Sequence, residues 1–160
     1  IRSLYFHVPI WFAMLFLMGA SVYSSIMYLG TNKIKQDIHA VETANTGLAF
    51  SVLGILTGML WARYTWGTWW TTDTKLNGVA ITFLIYTAYF ILRSSIEDEQ
   101  KKARISAIYN IFAFVMMIVF IMILPRMSAS LHPGNGGNPA FGKFDLDNTM
   151  RMVFYPACIK

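Results

Sequence analysis

The sequence predicts an all-α, polytopic transmembrane helix bundle with about four spans, and three observations predict it. Of 160 residues, 56% are hydrophobic and only 13% charged, where a soluble domain carries about a quarter charged residues. Mean hydropathy is +0.48. The charges fall in short blocks, leaving apolar stretches near the roughly 20 residues that cross a hydrocarbon core.

The first span covers residues 8–29, "VPIWFAMLFLMGASVYSSIMYL", with Pro9 in its first turn, where a missing N–H costs nothing. Residues 30–46, "GTNKIKQDIHAVETANT", read as a polar loop. The second span, residues 47–63, is short and glycine-rich, and Gly54 and Gly58 have the small-xxx-small spacing that lets a neighbouring helix approach. The third span, residues 76–92, runs into the charged hairpin "RSSIEDEQKKAR". The fourth, residues 105–124, contains the packing and lipid-facing run "VMMIVFIMIL" and is stopped by Pro125. The tail that follows, "PRMSASLHPGNGGNPAFGKFDLDNTM", is a long polar loop by its Gly, Pro and Asn content, and loops of that length are usually functional or disordered. The closing "MRMVFYPACIK" resumes an apolar pattern. Residues 1–160 thus read as a single membrane domain, with one span expected beyond each end.

The net charge of +5 reports orientation rather than nucleic acid, because Lys and Arg mark the cytoplasmic side of membrane spans. Lys33, Lys35, Arg93, Lys101, Lys102 and Arg104 fall on one side; Arg2, Arg63, Lys75, Arg126 and Lys143 fall on the other. The totals differ little. The short "KKAR" hairpin decides for the first side as cytoplasmic, which places residues 1–7, 64–75 and 126–150 outside. The lone Cys158 excludes an intrachain disulfide, and no C-x-x-C-H heme-attachment sequence occurs.

Three oddities share that outer side. In "TWGTWWTTD", Trp66, Trp69 and Trp70 would lie on one face of a short interfacial helix. They are either an aromatic belt at headgroup depth or a platform for a flat ligand. Asp73 has the position of a helix N-cap. His7 in "FHVP" and His132 in "LHPG" flank the spans. Each alone reads as a structural histidine, and together they could ligate heme iron axially beside the indoles. Arg63, Lys75 and Arg126 could pair with propionates, or simply snorkel at span ends. His39, near Asp37 and Glu42, belongs to the cytoplasmic loop and is solvated. Ser24 and Ser25 lie within a span and back-bond to their helix. No nucleophile–base pair and no metal spacing such as H-x-x-x-H is present.

These residues resemble a known family. "WGTWWTTD" is similar to the tryptophan-rich WWD signature of heme-handling proteins in cytochrome c maturation, close to W-G-x-W-W-x-W-D, and "FHVP" and "LHPG" resemble the histidine motifs flanking it. The order resembles the heme exporter protein C (CcmC) branch over about residues 5–135. The resemblance implies six transmembrane helices in the whole protein. It implies heme b held at the outer face of the cytoplasmic membrane, with His7 and His132 as axial ligands. Trp66, Gly67, Trp69, Trp70 and Asp73 would form the platform. It further implies transfer to a periplasmic heme chaperone, released by an ABC transporter. Two positions depart from the signature. Thr72 stands where the last tryptophan is usual. Lys75 stands where an arginine is usual, without its bidentate geometry.

An alternative within the same signature is a cytochrome c synthase that attaches heme to apocytochrome. Such proteins carry further histidines inside their spans, whereas His39 is the only histidine within residues 8–124. A third reading, a structural transporter subunit whose tryptophans form only a belt, expects no cofactor.

Overall fold

The computed structural model describes residues 4–128, 130–132, 152 and 156. Arg2, Lys143, Cys158 and the long loop expected after His132 lie outside the described residues. Among the described residues, four helical stretches are long and apolar enough to cross a membrane. They are α1 (Leu4–Thr31), α2 (Ile34–Trp66), α3 (Thr74–Ser94) and α4 (Glu99–Ile118), the last continuing through a π-helical turn, Val119–Ile123, into α5 (Leu124–Met127). The chain is a multi-pass, all-α membrane protein.

The expected loop at residues 30–46 is instead almost entirely helix. Only Asn32 and Lys33 separate α1 from α2. Asn32 takes the left-handed conformation (φ 52°) that asparagine tolerates, and its N–H bonds Tyr28 O at 2.7 Å. With 33 residues, α2 is about 50 Å long and overruns a hydrocarbon core of about 30 Å. Hydropathy missed its polar half because that half is held by periodicity: Asp37, Ala40, Ala44, Gly47, Ser51 and Gly54 recur at three- and four-residue steps and are buried. Small residues on this face let α1 lie close. His39 sits on this helix and is exposed.

Pro125 does not stop the fourth span. A helical proline lacks an N–H and its ring crowds the carbonyl four residues back. Here the preceding turn widens, and Leu124 N–H bonds Val119 O. The widened turn brings the Phe120 carbonyl against Gly78 so closely that any Cβ there would collide. It packs on α3, as α5 does, which carries the chain after Met127 to the start of α3.

The largest interface is α1 against α2. Helices α1 and α3 each pack on α4, while α2 barely touches α3. Met14, Met18, Tyr86, Ala113 and Met117 form the central core, methionine filling the irregular gaps between helices. Below it, Asn110 donates to Ser21 Oγ (2.7 Å) and Ser25 Oγ (2.9 Å), and Ser21 donates to Ala40 O (2.6 Å). Ser25 therefore accepts a bond from across the bundle. Phe16, Leu56, Leu84 and Phe112 face outward towards lipid.

At the opposite end from the tryptophans, Arg93 forks onto buried Asp37 at 2.8 and 2.5 Å. This fastens the end of α3 to the first turn of α2. An uncompensated guanidinium at the bundle edge costs about 2 kcal/mol, so Asp37→Ala should lower the thermal midpoint in detergent clearly, and the Asp37→Ala/Arg93→Leu pair should recover part of it.

Candidate functional site

The site forms where the start of α1, the end of α2, the start of α3 and residues 130–132 converge. Helix α2 ends because Gly67 takes a left-handed φ of 78°, open to glycine at no steric cost. The Arg63 guanidinium donates to the Gly67 carbonyl and closes that end. Residues 67–73 are consequently not helical. The single indole face expected for Trp66, Trp69 and Trp70 does not exist. Trp66 stays on α2 and turns inward, whereas Trp69 and Trp70 are 54% and 38% exposed.

Asp73 caps α3, accepting from the N–H groups of Lys75 (2.9 Å) and Leu76 (3.3 Å). The same carboxylate holds the returning chain. It accepts from Leu131 N (2.7 Å), Ser130 Oγ (3.2 Å) and His132 Nδ1 (3.2 Å). Burial pushes the Asp73 carboxyl up, but the Leu131 N–H, the Ser130 hydroxyl and His132 outweigh it, so the group lies below its ordinary value. Burial and the Lys75 ammonium hold the His132 imidazole below its ordinary value, although Asp73 pulls the other way. His132 is therefore neutral at physiological pH, the form that binds metals.

His7 is placed from α1. Its Nδ1 lies 3.0 Å from Thr57 Oγ1, and the Trp11 indole N–H donates to its Nε2 at 3.2 Å. Gly58 makes room: a Cβ there would come within 2.9 Å of His7 Cε1. Trp61, one turn on, joins the two imidazoles. It stacks on His7 with ring centroids 6.5 Å apart and meets His132 at 5.9 Å. Trp66 lies 5.4 Å from Trp61 and 5.2 Å from His132, edge-on to the imidazole. Trp61 was not singled out from sequence, where it lay inside a span. The signal was its spacing of three and seven from Gly58 and Gly54, which puts all three on one helix face.

The charge of Lys75 acts on both imidazoles. Arg126, exposed in α5, acts on Lys75. Among the described residues no three His, Cys, Asp or Glu side chains gather as a metal cluster. Two imidazoles alone under-coordinate a bare cation, which takes four or more protein or water ligands. They suit a metal whose remaining ligands arrive with it.

A sequence model of the family described as heme exporter protein C (CcmC) matches residues 1–152. The chain belongs to the heme exporter protein C family. Heme exporter protein C of Bradyrhizobium diazoefficiens is 32% identical over 111 residues, covering 69% of this chain and 42% of that protein. That of Rhodobacter capsulatus is 24% identical over 135 residues, covering 84% of this chain and 56% of that protein. Cytochrome c biogenesis protein CcsA of Prochlorococcus marinus is 29% identical over 94 residues, covering 59% and 30%. The chain spans about half the length of the heme exporter C relatives it matches. Its place among cytochrome c biogenesis proteins follows from the family. Within that family's matched region lie all ten candidate positions: His7, Arg63, Trp66, Gly67, Trp69, Trp70, Asp73, Lys75, Arg126 and His132. The structure gathers His7, Trp66, Asp73, Lys75 and His132, adds Trp61, Trp11 and Thr57, and engages Arg63 with the backbone.

Proposed function

We propose that this chain binds heme b as cargo at the outer face of the bacterial cytoplasmic membrane and presents it to a periplasmic heme chaperone. The role is non-enzymatic: His7 and His132 hold the iron, and a ligand of the partner displaces them. The observation that carries the reading is the meeting of both imidazoles on one indole, Trp61, from opposite ends of the chain. The donor set fits a porphyrin, which brings four ligands and leaves two axial places. Indole faces at Trp61 and Trp66 suit its flat surface. Lys75 and Arg126 offer cations to its propionates, while exposed Trp69 and Trp70 offer rings to cargo or partner. ABC transporter subunits would release the loaded chaperone.

The test is the visible spectrum of the full-length protein purified with hemin. A bis-imidazole spectrum is expected, lost or converted to a single-imidazole form in His7→Ala and in His132→Ala. Retention of the unaltered spectrum in both variants rules out the ligand assignment.

Similarity to the Prochlorococcus CcsA protein favours a second reading, a synthase that attaches heme to apocytochrome. Co-expression with an apocytochrome alone separates them: covalent product without the chaperone supports the synthase.

A further inference from the structure

We propose that Trp11 and Thr57 set the ligand strength of His7, Thr57 by fixing its tautomer and Trp11 by reversibly capping its lone pair, so that His7 is the imidazole that lets go. The inference deepens, and rests on, the heme-presenting reading above.

Two hydrogen-bond arguments agree on where the proton sits. An indole N–H can only donate, so Nε2, which receives it from Trp11 at 3.2 Å, carries a lone pair. The Thr57 hydroxyl has one hydrogen, directed at Leu53 O (2.9 Å) and Gly54 O (3.1 Å) in its own helix. With its hydrogen used there, Thr57 is an acceptor for His7 Nδ1, 3.0 Å away, as the lone pair on Nε2 requires. His7 is the neutral Nδ1–H tautomer, with Nε2 as its metal-binding atom. His132 has the same tautomer, because its Nδ1 faces the Asp73 carboxylate.

The two ligands nevertheless differ in strength. A carboxylate behind an imidazole raises its basicity towards a metal, and a neutral hydroxyl does so less. The His7 lone pair also has a resident competitor in the Trp11 N–H. The competitor stays close at hand. A Cβ at Gly54 would lie 2.9 Å from Trp11 Cε2, and one at Gly58 would lie 2.9 Å from His7 Cε1. Both rings are seated against the glycine face of α2.

During handover the iron–Nε2 bond breaks with its electron pair remaining on nitrogen. The Trp11 N–H then takes that pair, and the incoming ligand supplies its own pair to iron. No electron or proton changes hands. His132, braced by Asp73, keeps hold until the exchange is complete.

The test uses full-length protein in lipid nanodiscs, first heme-free and then loaded with hemin. In the heme-free protein, ¹⁵N spectra of labelled histidine should show His7 as the Nδ1–H tautomer. In the loaded protein, cyanide competes for the iron and its ligation is read in the visible spectrum. Trp11→Phe removes the cap and should raise the cyanide midpoint about three- to tenfold, the equivalent of one ordinary hydrogen bond. Thr57→Val removes the support and should lower it by a similar factor, while Thr57→Ser restores the wild-type value. Opposite signs separate this role from general loosening, which would move both variants the same way. An Nε2–H tautomer, shifts of the same sign, or no shift in either variant would overturn the proposal. No bis-imidazole band in the wild type would overturn the heme reading itself, and the inference with it.

Discussion

Gly58→Val should abolish the His7 contribution to heme binding while leaving the bundle folded. The added Cβ falls 2.9 Å from His7 Cε1, closer than carbon atoms pack. A free side chain would swing aside at little cost. This ring cannot, because moving it breaks its bonds to Thr57 and Trp11 together. The expected spectrum matches that of His7→Ala. Gly58→Ala makes the argument sharper. Alanine is favoured over glycine in a helix by about 1 kcal/mol, which offsets much of the loss of the His7 bonds, so thermal stability should be about held. Heme affinity should fall about tenfold, as it does when a ligand's support is displaced. A variant that keeps its stability and loses cargo identifies Gly58 as the seat of a ligand. Unchanged affinity in both variants would remove His7 from the site.

The four spans were legible because charge excludes a segment from lipid whatever its fold, and the charged blocks here are compact. What lay between them was less legible. The polar half of α2 was hidden by its charges, although its buried Ala40, Ala44 and Gly47 keep a helical step that hydropathy does not register. The tryptophan segment misled in the other direction. Its three- and four-residue spacing suits a helix, but a left-handed Gly67 ends α2 and divides the indoles between an inner and an outer group. Pro125 looked like a stop because proline usually is one, and only the widened turn before it lets the helix run on. For the site, a shared outer side and the motifs around them, rather than residue type alone, pointed to His7, His132 and Asp73. Trp61, Trp11 and Thr57 are ordinary span residues until two helices bring them against a histidine. Asp73 showed only its local role as a cap, since its second set of partners comes from 57 and more residues away.

That second set makes Asp73→Ala the other large effect. The substitution removes the α3 cap, worth about 1 kcal/mol. It also leaves the part-buried Leu131 N–H without its acceptor at 2.7 Å, which costs less than the roughly 1–3 kcal/mol of a fully buried group. The thermal midpoint should drop, and heme affinity should drop about 10- to 100-fold, because His132 loses the group that orients it and raises its basicity. Asp73→Asn separates the two. Its one amide oxygen can still cap α3 in the place of Oδ1, but an NH2 group replaces the Oδ2 that accepts from Leu131. Stability should therefore fall less than in Asp73→Ala. A neutral acceptor supports His132 less, so affinity should still fall. The pH dependence has a defined sign. The folded carboxyl lies below its ordinary value, so its contribution is fully present above the unfolded value of about 4. It is lost as pH falls through the lower folded value. The wild type should therefore lose stability on acidification in a range where Asp73→Asn stays flat. Equal acid sensitivity in the two proteins would mean that Asp73 does not hold residues 130–132 through its charge, and that His132 owes its position to something else.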